Sequence, residues 1–170
     1  MDPENITTGL LETVGVRQPV AGTFGDVELD YYALTRPLSS LRAPQPIVTD
    51  RSDGLALESI KLATPGPLHP GDRLVAHSWW QRGPASSDAR VSIRLYGPDD
   101  RVYGQIDQPP AGWTYLPDRW PDHTPILGRY EMLIPPDSPG EITMKLVIYS
   151  LASGVAPITV PVGTVSVQAP

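Results

Sequence analysis

The chain of 170 residues contains no cysteine. That single absence removes disulfides, thiolate nucleophiles, zinc–thiolate centres and iron–sulfur clusters, so the fold must hold by packing alone. Histidine occurs three times, at His69, His77 and His123, without His-x-His or His-Glu-x-x-His spacing. Neither a metal centre nor a histidine general base is indicated. No Gly-x-Ser-x-Gly elbow, Gly-x-Gly-x-x-Gly turn or phosphate loop is present. No window approaches the ~20 apolar residues of a membrane span. The first fifteen residues (MDPENITTGLLETVG) lack the basic and apolar stretches of a signal peptide. Positive charge is scarce as well: 13 basic against 19 acidic residues leave a net charge of −6. That balance argues against nucleic acid and against an anionic membrane surface as partners. The expectation is a chain with no cofactor, no metal and no membrane insertion of its own.

Proline (21) and glycine (15) are plentiful and punctuate the chain at short intervals, leaving little room for helices. Between them run segments with the period-2 alternation of half-buried strands. Val91, Ile93 and Leu95 oppose Arg90, Ser92 and Arg94; after the turn Gly97-Pro98-Asp99-Asp100 comes a second strand through Ile106. Tyr130, Met132 and Ile134 alternate likewise, as do Ile142, Met144, Leu146 and Ile148. Residues 55–63 and 73–81 read as strands, and residues 24–34 (FGDVELDYYAL) as one more. Residues 158–167 form the last, where Pro161 and Gly163 suggest a bulge or an edge position. About eight strands at such spacing predict an all-β, immunoglobulin-like antiparallel β-sandwich with an N-terminal arm or extra strand. Only residues 6–14 could hold a short helix. The proline-rich, aperiodic stretch 35–49 reads as a linker, dividing the chain into an N-terminal arm (residues 1–49) and a sandwich (residues 50–170).

The candidate sites lie on loops. Residues 109–125 make a long irregular connection that carries Trp113, Tyr115 and Trp120, and loops of that length in compact domains are usually functional. Tryptophan (four) and tyrosine (seven) far outnumber phenylalanine (one), favouring aromatics with a polar handle. Two uses of the loop aromatics compete: an indole stacked on a sugar ring, or an indole folded back over the open end of the sandwich. For Trp120, beside the strand led by Arg129-Tyr130, the second is expected, so that it anchors the loop. Arg129 points outward and either pairs with Asp118 or Asp122 or meets a ligand. Trp113, Tyr115, Trp120 and Arg129 are thus the ligand-binding candidates, and no catalytic residue is assigned. Trp79 and Trp80 adjoin on a strand and must face opposite ways. A hydrolase would need two converging carboxylates. Asp99-Asp100 and Asp118 with Asp122 are available, although turn aspartates usually cap their own backbone. The run Asp50-Arg51-Ser52-Asp53-Gly54 supplies half of a calcium loop, but Lys61 stands where the bidentate acid belongs.

The order of these pieces resembles the soluble β-sandwich near the C-terminus of bacterial multi-pass glycosyltransferase-like membrane proteins of the dolichyl-phosphate-mannose mannosyltransferase type. Pro70, Gly71, Trp79 and Trp80 match a turn and a strand ending in an aromatic–tryptophan pair. Pro98, Asp99, Asp107 and Pro110 match the next hairpin. Trp120, Arg129, Tyr130, Ile134, Pro135, Pro139 and Gly140 match the segment after it, with Gly128 where that family has aspartate. The resemblance spans about residues 55–167. It implies a non-catalytic accessory or recognition domain, extracytoplasmic, contacting a glycan or the membrane portion of its own parent protein. A carbohydrate-active hydrolase using loop carboxylates and a purely structural protein–protein interaction domain are the alternatives.

Overall fold

The computed structural model describes residues 11, 15–17, 22–24, 27–29, 32–34, 55–64, 66–82, 89–113, 116–122, 124–151 and 156–168. By internal packing the chain divides into two compact units, Met1–Leu41 and Arg42–Pro170.

The first unit holds four three-residue strands: β1 (Gly15–Arg17), β2 (Gly22–Phe24), β3 (Val27–Leu29) and β4 (Tyr32–Leu34). β2 pairs antiparallel with β3, and β1 with β4, so one pair is nested inside the other in sequence. This corrects the reading of residues 24–34 as one strand. Phe24 pairs with Val27, so residues 24–34 carry parts of three strands, β2, β3 and β4. Of the expected helix over residues 6–14, only Leu11 is described, and its backbone is helical. The stretch 35–49 and the Asp50–Gly54 run lie outside the described residues.

The second unit is the sandwich. Its strands are β5 (Leu55–Leu62), β6 (Arg73–Arg82), β7 (Ala89–Tyr96), β8 (Val102–Gln108), β9 (Ile126–Leu133), β10 (Glu141–Ser150) and β11 (Ile158–Ser166). Three form one antiparallel sheet in the order β5-β6-β9, and four form the other in the order β11-β10-β7-β8. This is the immunoglobulin-like division, with the fourth strand placed beside the third. Directly opposed residues in an antiparallel pair share a face, so the register carries the apolar alternation across each sheet. Leu74, Ala76 and Trp80 of β6 line the core with Tyr130 and Met132 of β9. Facing them are Val91, Ile93 and Leu95 of β7 and Ile142, Met144, Leu146 and Ile148 of β10. Trp79 and Trp80 separate as alternation requires: Trp80 is fully buried and Trp79 half-buried.

Two local features follow from turn and edge chemistry. In the β7–β8 turn the Asp100 N–H donates to the Gly97 carbonyl (3.1 Å), and Asp99 Oδ1 accepts from the Arg101 N–H (3.2 Å). Asp100 takes φ 57°, a left-handed conformation that aspartate tolerates. β11 carries both expected features, because it is an edge strand and its register slips opposite Met144/Lys145, between Gly163 and Pro161. β8 is the other edge of the larger sheet, with Val102 and Ile106 exposed. No helix among the described residues is long and apolar enough to cross a membrane.

Candidate functional site

The long loop between β8 and β9 is fastened at its start by a buried polar knot. The Trp80 indole N–H lies 2.7 Å from Ser78 Oγ and 3.0 Å from the Tyr130 hydroxyl. That hydroxyl also hydrogen-bonds Ser78 and the Ala111 backbone, and burial pushes its pKa up to about 12. Ala111 and Gly112 take φ 60° and φ 91°, with the Gly112 N–H closing a turn onto the Pro109 carbonyl (3.0 Å). Gly128, opposite Ser78, leaves the room this knot needs. A Cβ there would lie 2.6 Å from Ser78 Oγ and 3.2 Å from Trp80 Nε1. The aspartate found at this place in the resembling family would not fit.

The middle of the loop is fastened by Trp120, which is 1% exposed and belongs to the core. A single 3₁₀ turn, Pro117–Arg119, delivers it, and the Trp120 N–H donates to the Pro117 carbonyl (3.2 Å). Arg82, the last residue of β6, reaches across to this turn. One guanidinium nitrogen donates to the carbonyls of Trp120 (2.9 Å) and Asp118 (3.2 Å), while Nε lies 3.7 Å from Asp122. The expected ion pair of Arg129 with Asp118 or Asp122 is therefore corrected. Arg129 pairs with Glu131, two residues along the same strand and hence on the same face, and Glu131 also holds Arg73. Arg82 was not among the candidates read from the sequence, because its reach to the loop depends on β6 ending beside that turn.

Trp113 behaves oppositely. It is 58% exposed, and the Arg90 guanidinium sits over its ring, 5.5 Å from the centroid. Arg90 opens the outer face of the four-stranded sheet. Register places Arg90 opposite Tyr149, Ser92 opposite both Val147 and Asp107, and Arg94 opposite Lys145 and Gln105. Ser92 and Val147 are buried and form the floor of this face. Around them runs a hydrogen-bonded cluster. Arg94 Nε donates to Ser92 Oγ (3.0 Å), Gln105 Nε2 to Asp107 Oδ2 (2.6 Å) and the Tyr149 hydroxyl to Asp107 Oδ1 (3.3 Å). Partial burial pushes the Asp107 carboxyl up, yet hydrogen bonds from Gln105, Ser92 and Tyr149 together with the Arg94 charge hold it below its usual range. Burial and then the Asp107 charge push the Tyr149 hydroxyl up. The sheet thus presents an ordered polar surface with an aromatic wall at one end, suited to holding a ligand by hydrogen bonds and ring stacking.

Of the candidates, Trp113 lies at this face, Trp120 is in the core and Arg129 is on the opposite sheet, with Tyr115 outside the described residues. His69 is exposed in its turn beside Asp72 (3.5 Å), His77 is buried in β6, and His123 lies outside the described residues. Three of the four candidate carboxylates have partners: Asp100 faces Lys145 (3.7 Å), Asp99 caps its turn and Asp122 faces Arg82, while Asp118 is exposed on the 3₁₀ turn. Among the described residues no three acidic or histidine side chains gather as a metal site would require.

No family model matches the chain, and no curated protein matches it. Solved structures resemble it in outline. The C-terminal domain of Wzt shares 11% identity at a TM-score of 0.43, covering 79% of this chain and 83% of its own. A DUF3823 family protein from Bacteroides ovatus shares 10% identity at a TM-score of 0.44, covering 86% of this chain and 68% of its own.

Proposed function

We propose that residues 50–170 form a non-catalytic recognition domain of a larger protein, and that its ligand is a glycan lying on the outer face of the four-stranded sheet. The observation that carries this reading is Trp113. The indole stands 58% exposed beside the Arg90 guanidinium, and its flat ring suits the axial C–H groups of a sugar. The neighbouring row of Tyr149, Asp107 and Gln105 supplies the donors and acceptors that hydroxyl groups need. The hydrolase alternative has less support, because Asp99, Asp100 and Asp122 are engaged in capping and ion pairs, which leaves Asp118 without a converging partner. The resemblance of residues 55–167 to extracytoplasmic sandwiches of glycosyltransferase-like membrane proteins supports a place outside the cytoplasm, beside the membrane portion of a parent protein. A glycan array tests the reading. The parent chain is expected to bind, and Trp113→Ala is expected to lose binding while melting at the parent temperature. An array without hits, or a Trp113→Ala variant that binds like the parent, would overturn it.

A further inference from the structure

We propose, resting on that reading, that the glycan is anionic and that Arg90 is the group that meets its charge. The chain is acidic, with a net charge of −6, yet the central strands of this one face carry Arg90, Arg94 and Lys145 against the single acid Glu141 at the start of β10. Two of the three are already balanced. Lys145 lies 3.7 Å from Asp100 and 4.2 Å over the Tyr96 ring. Arg94 donates to Ser92, and its charge acts on Asp107. Arg90 differs from both. Among the described residues it meets the Trp113 ring and the Ala89 carbonyl, which accepts one N–H at 3.0 Å, and register places the Tyr149 phenol opposite it.

Among the described residues Arg73, Arg82, Arg101 and Arg129 each face a carboxylate within 4.0 Å, whereas Arg90, like Arg94 and the exposed Arg119, does not. A guanidinium has five N–H donors in a planar fork, and Ala89 takes one of them. Its place over Trp113, 5.5 Å from the ring centroid, leaves the remaining donors for a carboxylate, sulfate or phosphate, which Arg reads in bidentate fashion. The pair then divides the work: the indole takes the sugar ring, and the guanidinium takes the acidic substituent of the same or the next sugar. The Asp107 charge on the same face is countered by Arg94.

The test is an array of matched pairs: oligouronates with their carboxyl-reduced forms, sulfated glycans with their unsulfated forms, and phosphorylated glycans with their dephosphorylated forms. The three arms identify which anion is read. Binding to an anionic member that falls at least tenfold on neutralising it, and falls similarly in Arg90→Gln, supports the proposal. Arg90→Lys keeps the charge without the fork and should recover part of the affinity. Melting curves of each variant exclude loss of fold. Should Arg90→Gln fail to fold, the intact protein still decides: its affinity should drop between ~0.01 and ~0.15 M salt, as screening shortens from about 30 to about 8 Å. Equal binding of neutral members, unaffected by salt or by Arg90→Gln, overturns the anionic reading and leaves the recognition domain standing. Silence from every pair overturns both.

Discussion

Trp113 and Trp120 stand seven residues apart in one loop, made of the same side chain, and their fates are opposite. Trp120 is sealed in the core, while Trp113 stands in the open against Arg90. What separates them is what each backbone is tied to. A 3₁₀ turn and the Arg82 clamp bring Trp120 down between the sheets. Gly112, at φ 91°, turns the chain outward just before Trp113, after Ala111 has been fastened to Tyr130. Hydrophobicity alone does not choose the buried indole. The loop backbone chooses it, and the apolar area then holds it there.

Replacing the two rings should separate their roles most widely. Trp120→Ala is expected to destabilise the sandwich by ~3–5 kcal/mol, as large core truncations do, measured by chemical denaturation. An unchanged midpoint would remove the distinction between the two tryptophans.

The loop's first anchor can be loosened by alkali. Burial raises the Tyr130 pKa to about 12 in the folded state, against about 10 for a solvated phenol. The unfolded chain ionises first, so the contribution is whole below pH ~10 and is lost as pH rises through ~12, by roughly 2–3 kcal/mol. Tyr130→Phe should flatten that part of the stability–pH curve. An equally steep alkaline fall in the variant would mean that other groups cause it.

Gly128→Ala should cost ~1–3 kcal/mol, since the added methyl collides with Ser78 Oγ and crowds the Trp80 N–H. A cost no larger than that of an exposed substitution would show that the knot has slack. Arg82→Gln strips the clamp from the Trp120 and Asp118 carbonyls and should cost ~1–2 kcal/mol. It should also speed amide exchange at Trp120 more than at Trp113, and a uniform increase along the loop would argue against a local clamp. Smallest of all, Trp113→Ala should change stability by about 0.5 kcal/mol or less, as surface substitutions do. A larger loss would place Trp113 in the scaffold rather than at a ligand.

Much of the fold was legible along the chain. Period-2 alternation located all seven strands of the sandwich, and Pro161 with Gly163 marked the irregular edge strand β11. The error in residues 24–34 arose because the whole run reads as strand, so the breaks between β2, β3 and β4 were hidden by their neighbours. Of the site, Trp120 was legible as an anchor from its company of prolines and the strand that follows. The partnership of Trp113 with Arg90 was not, since it joins a loop to a strand more than twenty residues away in sequence. The same holds for Arg82 and the loop carbonyls, and for Arg129, whose nearest acid proved to be on its own strand.

Alternation and turn residues settled the all-β class and the seven strands of the sandwich, because these depend on neighbours a few positions apart. The assortment of strands into sheets of three and four was settled by folding. So was the gathering of Arg90, Tyr149, Asp107 and Trp113 at one face, and the burial of one loop tryptophan rather than the other. Those outcomes depend on cross-strand register and on close packing in three dimensions, which join residues that the linear chain keeps far apart.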